Sequence, residues 1–149
     1  MAKSKTLKVT EIDRYLFGQG TNYEAKSVIL ACGMSQVHEF PGELMNLGRG
    51  VSYCATCDAS LYKGKTAVVI GYGPKEEKEA EFLSEIADKV TYVAMYPDCK
   101  INKENIEVLT KVKPVSIEKE DCQMILNLET GKLSANGIFV LRENVAPSQ

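Results

Sequence analysis

The sequence predicts an α/β fold, a strand–helix–strand unit of parallel sheet followed by an antiparallel β segment. Three stretches carry that reading. "KTAVVIGYG" is a β-branched apolar run ending in a glycine turn, the pattern of a buried strand before a helix. "PKEEKEAEFLSEIADK" places Ala80, Leu83 and Ile86-Ala87 at helical spacing, and "VTYVAM" returns to a strand pattern, so Thr66 to Met95 is a β-α-β unit. Beyond it, "IEVLTKVKPVSIEKEDCQMILNLETGKLSANGIFVL" reads as strands with turns at Glu120-Asp121 and Thr130-Gly131.

The elements follow in chain order. "TLKVTEI" alternates like a strand, "GQGTN" supplies turn residues, and "KSVILAC" is a buried run that stops at Gly33. "MSQVHEFPGELMNLGRG" is expected to be an irregular linker, because Pro41-Gly42, Gly48 and Gly50 interrupt any period. The helix is predicted over 74–89, about four turns by its rise per residue. Pro74 suits its first position, and Glu76, Glu77 and Glu79 suit the positive end of its dipole. "KINKENIEVL" leads almost directly into the next strand, with no second helix.

Composition excludes several classes of function. The 149 residues are 44% hydrophobic and 26% charged, an ordinary globular balance, and a net charge of −2 offers no attraction to nucleic acid or an anionic membrane. The apolar runs "SVILAC" and "TAVVIG" are too short to span a bilayer. The amino-terminal "MAKSKTLKVTEIDRYL" has no apolar h-region, so the expected compartment is the cytoplasm, where thiols stay reduced.

Of the five cysteines, only Cys54 and Cys57 have a spacing with chemical meaning. A C-x-x-C dithiol lets one thiolate attack a substrate disulfide while the other resolves the mixed disulfide. Asp58, directly behind Cys57, is placed to manage the protons. Two inert thiols packed as small hydrophobes fit the same spacing. Zinc fits it less well, because no second cysteine or histidine pair supplies the remaining ligands and no metal site is expected. Spacing alone leaves these readings open.

The order "KSVILACGM", "FPGE", "GRGVSYCATCDASLYKGKTAVVIGYG" resembles low-molecular-weight thioredoxin reductases, over roughly Ala25 to Val93 and more loosely to Pro147. The resemblance implies a Rossmann-like domain of the pyridine nucleotide-disulfide oxidoreductase type. It makes Cys54 and Cys57 the redox pair, Cys57 the flavin-facing sulfur and Asp58 the catalytic acid. It also implies FAD in the intact protein, a homodimer, and a thioredoxin-like protein disulfide as acceptor. Ala31-Cys32-Gly33 stands where the family has A-T-G, which puts Ala31 and Gly33 on the FAD side. Neither the amino-terminal FAD fingerprint nor the carboxy-terminal G-D segment of the family is found. The expected division is therefore 1–49 as FAD-domain side plus linker, 50–142 as a nucleotide-binding-like domain carrying the cysteines, and 143–149 leading back to the FAD domain. Such a chain is expected not to turn over alone.

The glycine turn Gly71-Tyr72-Gly73 lies between strand and helix, the context of a dinucleotide site. A full fingerprint continues with Gly or Ala at the position held by Glu76, whose carboxylate competes for the amides that hold pyrophosphate. The family's arginines for the 2′-phosphate are replaced by Ala94, Met95 and Tyr96. Gly71 and Gly73 are thus expected to be a vestigial turn, with NADPH binding lost. The donor implied by resemblance to flavin-type ferredoxin-dependent thioredoxin reductases is reduced ferredoxin. The rival expectations are an NADPH-dependent reductase with unusual contacts, and a noncatalytic interaction domain. His38, Tyr72, Tyr96, Cys99 and Cys122 are assigned no chemistry, and the two tyrosines are expected to pack.

Overall fold

The computed structural model describes residues 8–9, 15–18, 21–24 and 40–142. The chain divides into two compact units, Met1–Gly33 and Met34–Gln149. In the first, strands β1 (Lys8–Val9), β2 (Tyr15–Gly18) and β3 (Thr21–Glu24) form an antiparallel sheet in that order, with Gly18 opposite Thr21. "KSVILAC", with Ala31 and Gly33, and His38 lie outside the described residues.

The second unit is built on a parallel sheet of β4 (Val51–Ser52), β11 (Gly137–Leu141), β5 (Thr66–Gly71), β6 (Lys89–Ala94) and β7 (Ile106–Thr110), in that spatial order. Strands β8 (Pro114–Glu120), β9 (Gln123–Leu128) and β10 (Gly131–Ala135) form an antiparallel meander between β7 and β11. Its inner residues Ile117, Met124 and Leu126 cover one sheet face, against Val51, Val68, Ile70, Val93 and Ile138. On the other face lie α2 (Ala55–Asp58), the 3-10 turn Ala59–Tyr62 and α3 (Glu76–Ser84), packed by Ala55, Ala59, Ala80 and Leu83 on Val69, Tyr92 and Phe139. Both faces of the sheet are buried, so its strands read as continuous apolar runs, as β5 and β11 do. No helix among the described residues is long and apolar enough to cross a membrane.

Two expectations need correction. The helix spans Glu76–Ser84, shorter than 74–89 at both ends. Pro74 sits in the preceding turn, which closes through the Glu76 N–H to the Gly73 carbonyl at 3.4 Å. At the other end Glu85, Ile86 and Ala87 fold their amides back onto Phe82 and Leu83. The Glu81 carbonyl accepts from the Ser84 hydroxyl (2.7 Å) and Lys103 Nζ (3.2 Å), and the Ser84 carbonyl from Asn105 Nδ2 (2.6 Å), which satisfies the helix end and stops it there. Nor is the linker irregular throughout: α1 (Glu43–Asn46) is one helical turn within it. Gly42 caps α1 with φ 84°, and a side chain there would strike the Ile117 carbonyl of β8. The glycine expected to break structure lets α1 sit close against the meander.

Glu43 is fully buried and forms a two-pronged ion pair with Arg142, with Nη2 to Oε2 at 2.8 Å. Burial pushes its carboxyl pKa up, but Arg142, the Phe40 amide and Tyr53 outweigh that and hold it below its ordinary value. The same guanidinium lies over the rings of Phe40 and Tyr72, at 5.4 and 5.3 Å. These contacts join the segment before β4 to the residue after β11.

Candidate functional site

Both chemistry-bearing turns lie at the carboxyl edge of the parallel sheet, where open α/β sheets bind ligands. The first follows β4. Cys54 is extended (φ −141°, ψ 102°) and caps α2, its sulfur accepting from the Cys57 N–H at 3.2 Å. One helical turn brings the Cα atoms of Cys54 and Cys57 to 5.3 Å, and the two cysteines are joined as a disulfide. Cys57 is exposed and Cys54 half-buried, so the bridge is open to a partner on the Cys57 side.

Asp58 ends α2, half-buried, and accepts a 2.6 Å hydrogen bond from the Ser52 hydroxyl. Ser52 Oγ also accepts the Cys54 N–H at 3.1 Å. Across the helix layer, Glu79 of α3 accepts the Ala55 N–H at 3.2 Å and so ties the start of α2 to its neighbour. Tyr62 is buried edge-on to Phe139, and burial first, then the Asp58 charge, push its phenol pKa up. The fold thus gathers Cys54, Cys57 and Asp58 on one short helix and its cap. Ser52 and Glu79 were not foreseen. Ser52 lies in the quoted motif, but only the closing of the turn brings it back to Asp58.

The second turn follows β5. Gly71 is required by Tyr92 of β6: a Cβ at Gly71 would collide with the tyrosine hydroxyl and ring, which are fully buried. Glu76 opens α3 and folds inward, 6% exposed. Its Oε2 has no hydrogen-bond partner among the described residues and would meet a Cβ at Gly73 at 3.1 Å. Glu77 Oε1 accepts from the Tyr96 hydroxyl at 2.7 Å and the Lys100 N–H at 3.0 Å, and the Tyr92 and Tyr96 hydroxyls lie 3.2 Å apart. Burial first, then these hydrogen bonds and Cys99, push the Tyr96 phenol pKa well up. Burial works the other way on Glu77, but Tyr96, Lys100 and Cys99 outweigh it and hold that carboxyl down. Tyr72 packs on Arg142, as expected of a packing tyrosine. Tyr96 does more than pack, because it straps the loop after β6 to α3. Beyond β6 and β7 a cleft of about 620 Å³ is bordered by Ala94, Met95, Tyr96, Lys111 and Lys113. Among the described residues no group of three or more histidine, cysteine or acidic side chains is placed to hold a metal.

Comparison with known proteins bears on the whole chain. Residues 1–141 match the family model described as pyridine nucleotide-disulphide oxidoreductase. Thioredoxin reductase of Aquifex aeolicus is 32% identical over 145 residues, covering 87% of this chain and 45% of that protein. A crystal structure of a ferredoxin-flavin thioredoxin reductase from Clostridium acetobutylicum superposes with a TM-score of 0.69 at 40% identity, covering 91% of this chain and 48% of that one. Thioredoxin reductase from Streptococcus pyogenes gives a TM-score of 0.73 at 26% identity, over 93% and 52%. The chain therefore spans about half the length of the relatives it matches. With its parallel sheet, meander and C-x-x-C disulfide, it belongs to the pyridine nucleotide-disulphide oxidoreductase family, among the low-molecular-weight thioredoxin reductases.

Proposed function

We propose that this chain is the dithiol-carrying part of a thioredoxin reductase-like flavoprotein, which passes electrons through Cys54 and Cys57 to a thioredoxin-like protein disulfide without using NADPH. The observation that carries the reading is the disulfide itself, exposed at Cys57 and followed by a half-buried acid on the same helical turn. FAD supplies two electrons in such proteins. The residues that the resemblance puts on its side, Ala31 and Gly33, lie outside the described residues. Residues 1–49 belong to the FAD-domain side, 50–142 to the dithiol domain and 143–149 to the return segment.

In the reduced state one cysteine attacks the acceptor disulfide as its thiolate, and an acceptor sulfur leaves. The second cysteine then attacks the mixed disulfide, which restores the Cys54–Cys57 bridge and frees the other acceptor sulfur. Two electrons pass to the acceptor, and the two thiol protons end on its sulfurs, with Asp58 holding a proton in transit. By the family resemblance, Cys57 would be the sulfur on the flavin side of the pair.

Three features support operation without NADPH. Glu76 presents a carboxylate at the glycine turn, Tyr92 fills the space beside Gly71, and Tyr96 rather than arginine follows β6. Reduced ferredoxin is then the electron donor, in keeping with the name of the Clostridium acetobutylicum protein. The setting is cytoplasmic and the intact protein a homodimer. One observation favours the NADPH-dependent alternative: the cleft beside Lys111 and Lys113 has room for part of a nucleotide.

Single-turnover transfer tests the proposal. The chain, reduced with dithiothreitol and freed of it, is mixed with oxidised thioredoxin and then alkylated for mass spectrometry. Linkage of Cys54 to Cys57 as thioredoxin becomes reduced is expected. Oxidation at Cys99 or Cys122 with Cys54 and Cys57 left as thiols overturns the proposal. Calorimetry with NADPH is expected to show no saturation below about 100 μM, near −5.5 kcal/mol, and saturation there restores the NADPH-dependent alternative.

A further inference from the structure

We infer that Ser52 is a positioning residue that sets Asp58 for proton transfer at the cysteine pair, an inference that rests on the function proposed above. Ser52 ends β4 and is 5% exposed. Its backbone is held in register with Phe139 of β11, itself fully buried, so its side chain stands on a rigid strand. The hydroxyl has one proton and two acceptors in reach, Asp58 Oδ2 at 2.6 Å and the Cys54 carbonyl at 3.3 Å. The shorter bond, to a carboxylate, takes it, because charge-assisted hydrogen bonds are both shorter and stronger than neutral ones. The lone pairs of the same oxygen accept the Cys54 N–H at 3.1 Å. A single buried atom therefore fixes the backbone of the first cysteine and the orientation of the acid.

The bond has a chemical consequence. With Oδ2 occupied by Ser52, a proton exchanged with sulfur is carried on Oδ1, and the carboxylate cannot rotate freely to present either oxygen. In the forward direction Asp58 takes the thiol proton of the attacking cysteine onto Oδ1, and the thiolate forms a bond to one acceptor sulfur. The other acceptor sulfur leaves with the electron pair of the broken bond and takes that proton. The second thiol repeats the exchange, so the acceptor gains two electrons and two protons. Beside Asp58 stand Tyr62 of the following turn, whose phenol feels its charge, and Glu79 of α3, which bonds the Ala55 amide in the same helix. Among the described residues neither of these donates to Oδ2 in place of Ser52.

The test is a double-mutant cycle on the rate of exchange between the reduced chain and hydroxyethyl disulfide, whose aliphatic leaving thiolate needs a proton. Cys32, Cys99 and Cys122 are replaced by serine so that only the pair reports. Asp58→Asn is expected to slow exchange by about 100-fold, the lower end of general acid–base contributions, and Ser52→Ala by roughly 10-fold. Ser52→Thr, which keeps the hydroxyl, is expected to restore most of the rate. In the Asp58→Asn background, Ser52→Ala is expected to add less than about twofold, since a residue acting through another shows no independent effect. Equal slowing by Ser52→Ala in both backgrounds overturns the inference and leaves a purely structural role. An unchanged rate in the Ser52→Ala single variant also overturns it. If Asp58→Asn exchanges at the original rate, the acid assignment and this inference fall together while the dithiol function stands; if the pair itself does not exchange, all three fall. Should Ser52→Ala lose its fold, Ser52→Thr and Ser52→Val, alike in shape and differing in the hydroxyl, carry the same comparison.

Discussion

The two turns at the carboxyl edge of the sheet share a backbone plan and differ in what their side chains do with it. After β4, the side chains are short, an exposed sulfur faces outward, and Ser52 and Asp58 satisfy each other. After β5, the side chains are long and turn inward: Glu76 lies at the glycine turn, Tyr92 occupies the space beside Gly71, and Glu77 holds Tyr96. A turn is a shape that side chains either leave open or fill. A glycine pair after a strand therefore says little about a ligand until the residues beside it are known, and Gly71 has a sufficient reason to be glycine in Tyr92 alone.

The largest effect belongs to the open end. Cys57→Ser is expected to drop disulfide exchange to the uncatalysed background while the second unit keeps its fold, read by single-turnover alkylation and circular dichroism. Residual transfer at the original rate would move the chemistry to another thiol and erase the contrast between the turns.

Glu43→Ala comes next, at a cost of about 3–5 kcal/mol in urea unfolding, because it leaves Arg142 largely buried without its counter-charge. Arg142 also lies over Tyr72, so this loss is expected to loosen the closed end more than the open one. Folding lowers the Glu43 pKa from 4.5, so the pair's contribution is complete above that pH and is lost as pH falls through the lower folded value. Glu43→Gln should remove that acid-side loss, and an unaltered pH dependence would place its origin in other carboxylates.

Filling of the second turn is tested by opening it. The combined change Glu76→Ala, Met95→Arg and Tyr96→Arg is expected to strengthen NADPH binding by about 100-fold, from about two charge-assisted contacts at roughly 1.5 kcal/mol each. Calorimetry on the folded variant decides it. No gain would mean that Tyr92 and the loop after β6, rather than these three side chains, close the site.

The smallest effect sharpens the role of Gly71. Gly71→Ala is expected to destabilise the unit by about 1–3 kcal/mol through overpacking against Tyr92, with no nucleotide present. Tyr92→Phe in the same chain should return part of it by removing the nearest atom of the clash. A neutral Gly71→Ala would show that Tyr92 moves freely and that the fit beside it is loose.

Much of the fold was legible because it is written locally. Apolar runs marked β5, β6 and β11, hairpin turns marked the meander, and C-x-x-C followed by an acid marked the disulfide turn. Elements whose reasons lie elsewhere in the chain were read less well. Local pattern overextends the helix because its end is set by Lys103 and Asn105, and it hides α1 in a linker because the glycine there serves a contact with β8. At the site, the motif pointed to Cys54, Cys57 and Asp58 but not to Ser52, whose partner is reached only when the turn closes.

Periodicity and spacing are properties of neighbours along the chain, so the strands, the hairpins and a cysteine pair able to close follow from sequence alone. It also placed an acid at Glu76. Folding settled where that acid points, that Gly71 makes room for Tyr92, and that Glu43 meets Arg142 across 99 residues. Those outcomes depend on which side chains are brought together from distant segments and on whether each buried polar group finds a partner, and no local pattern encodes either.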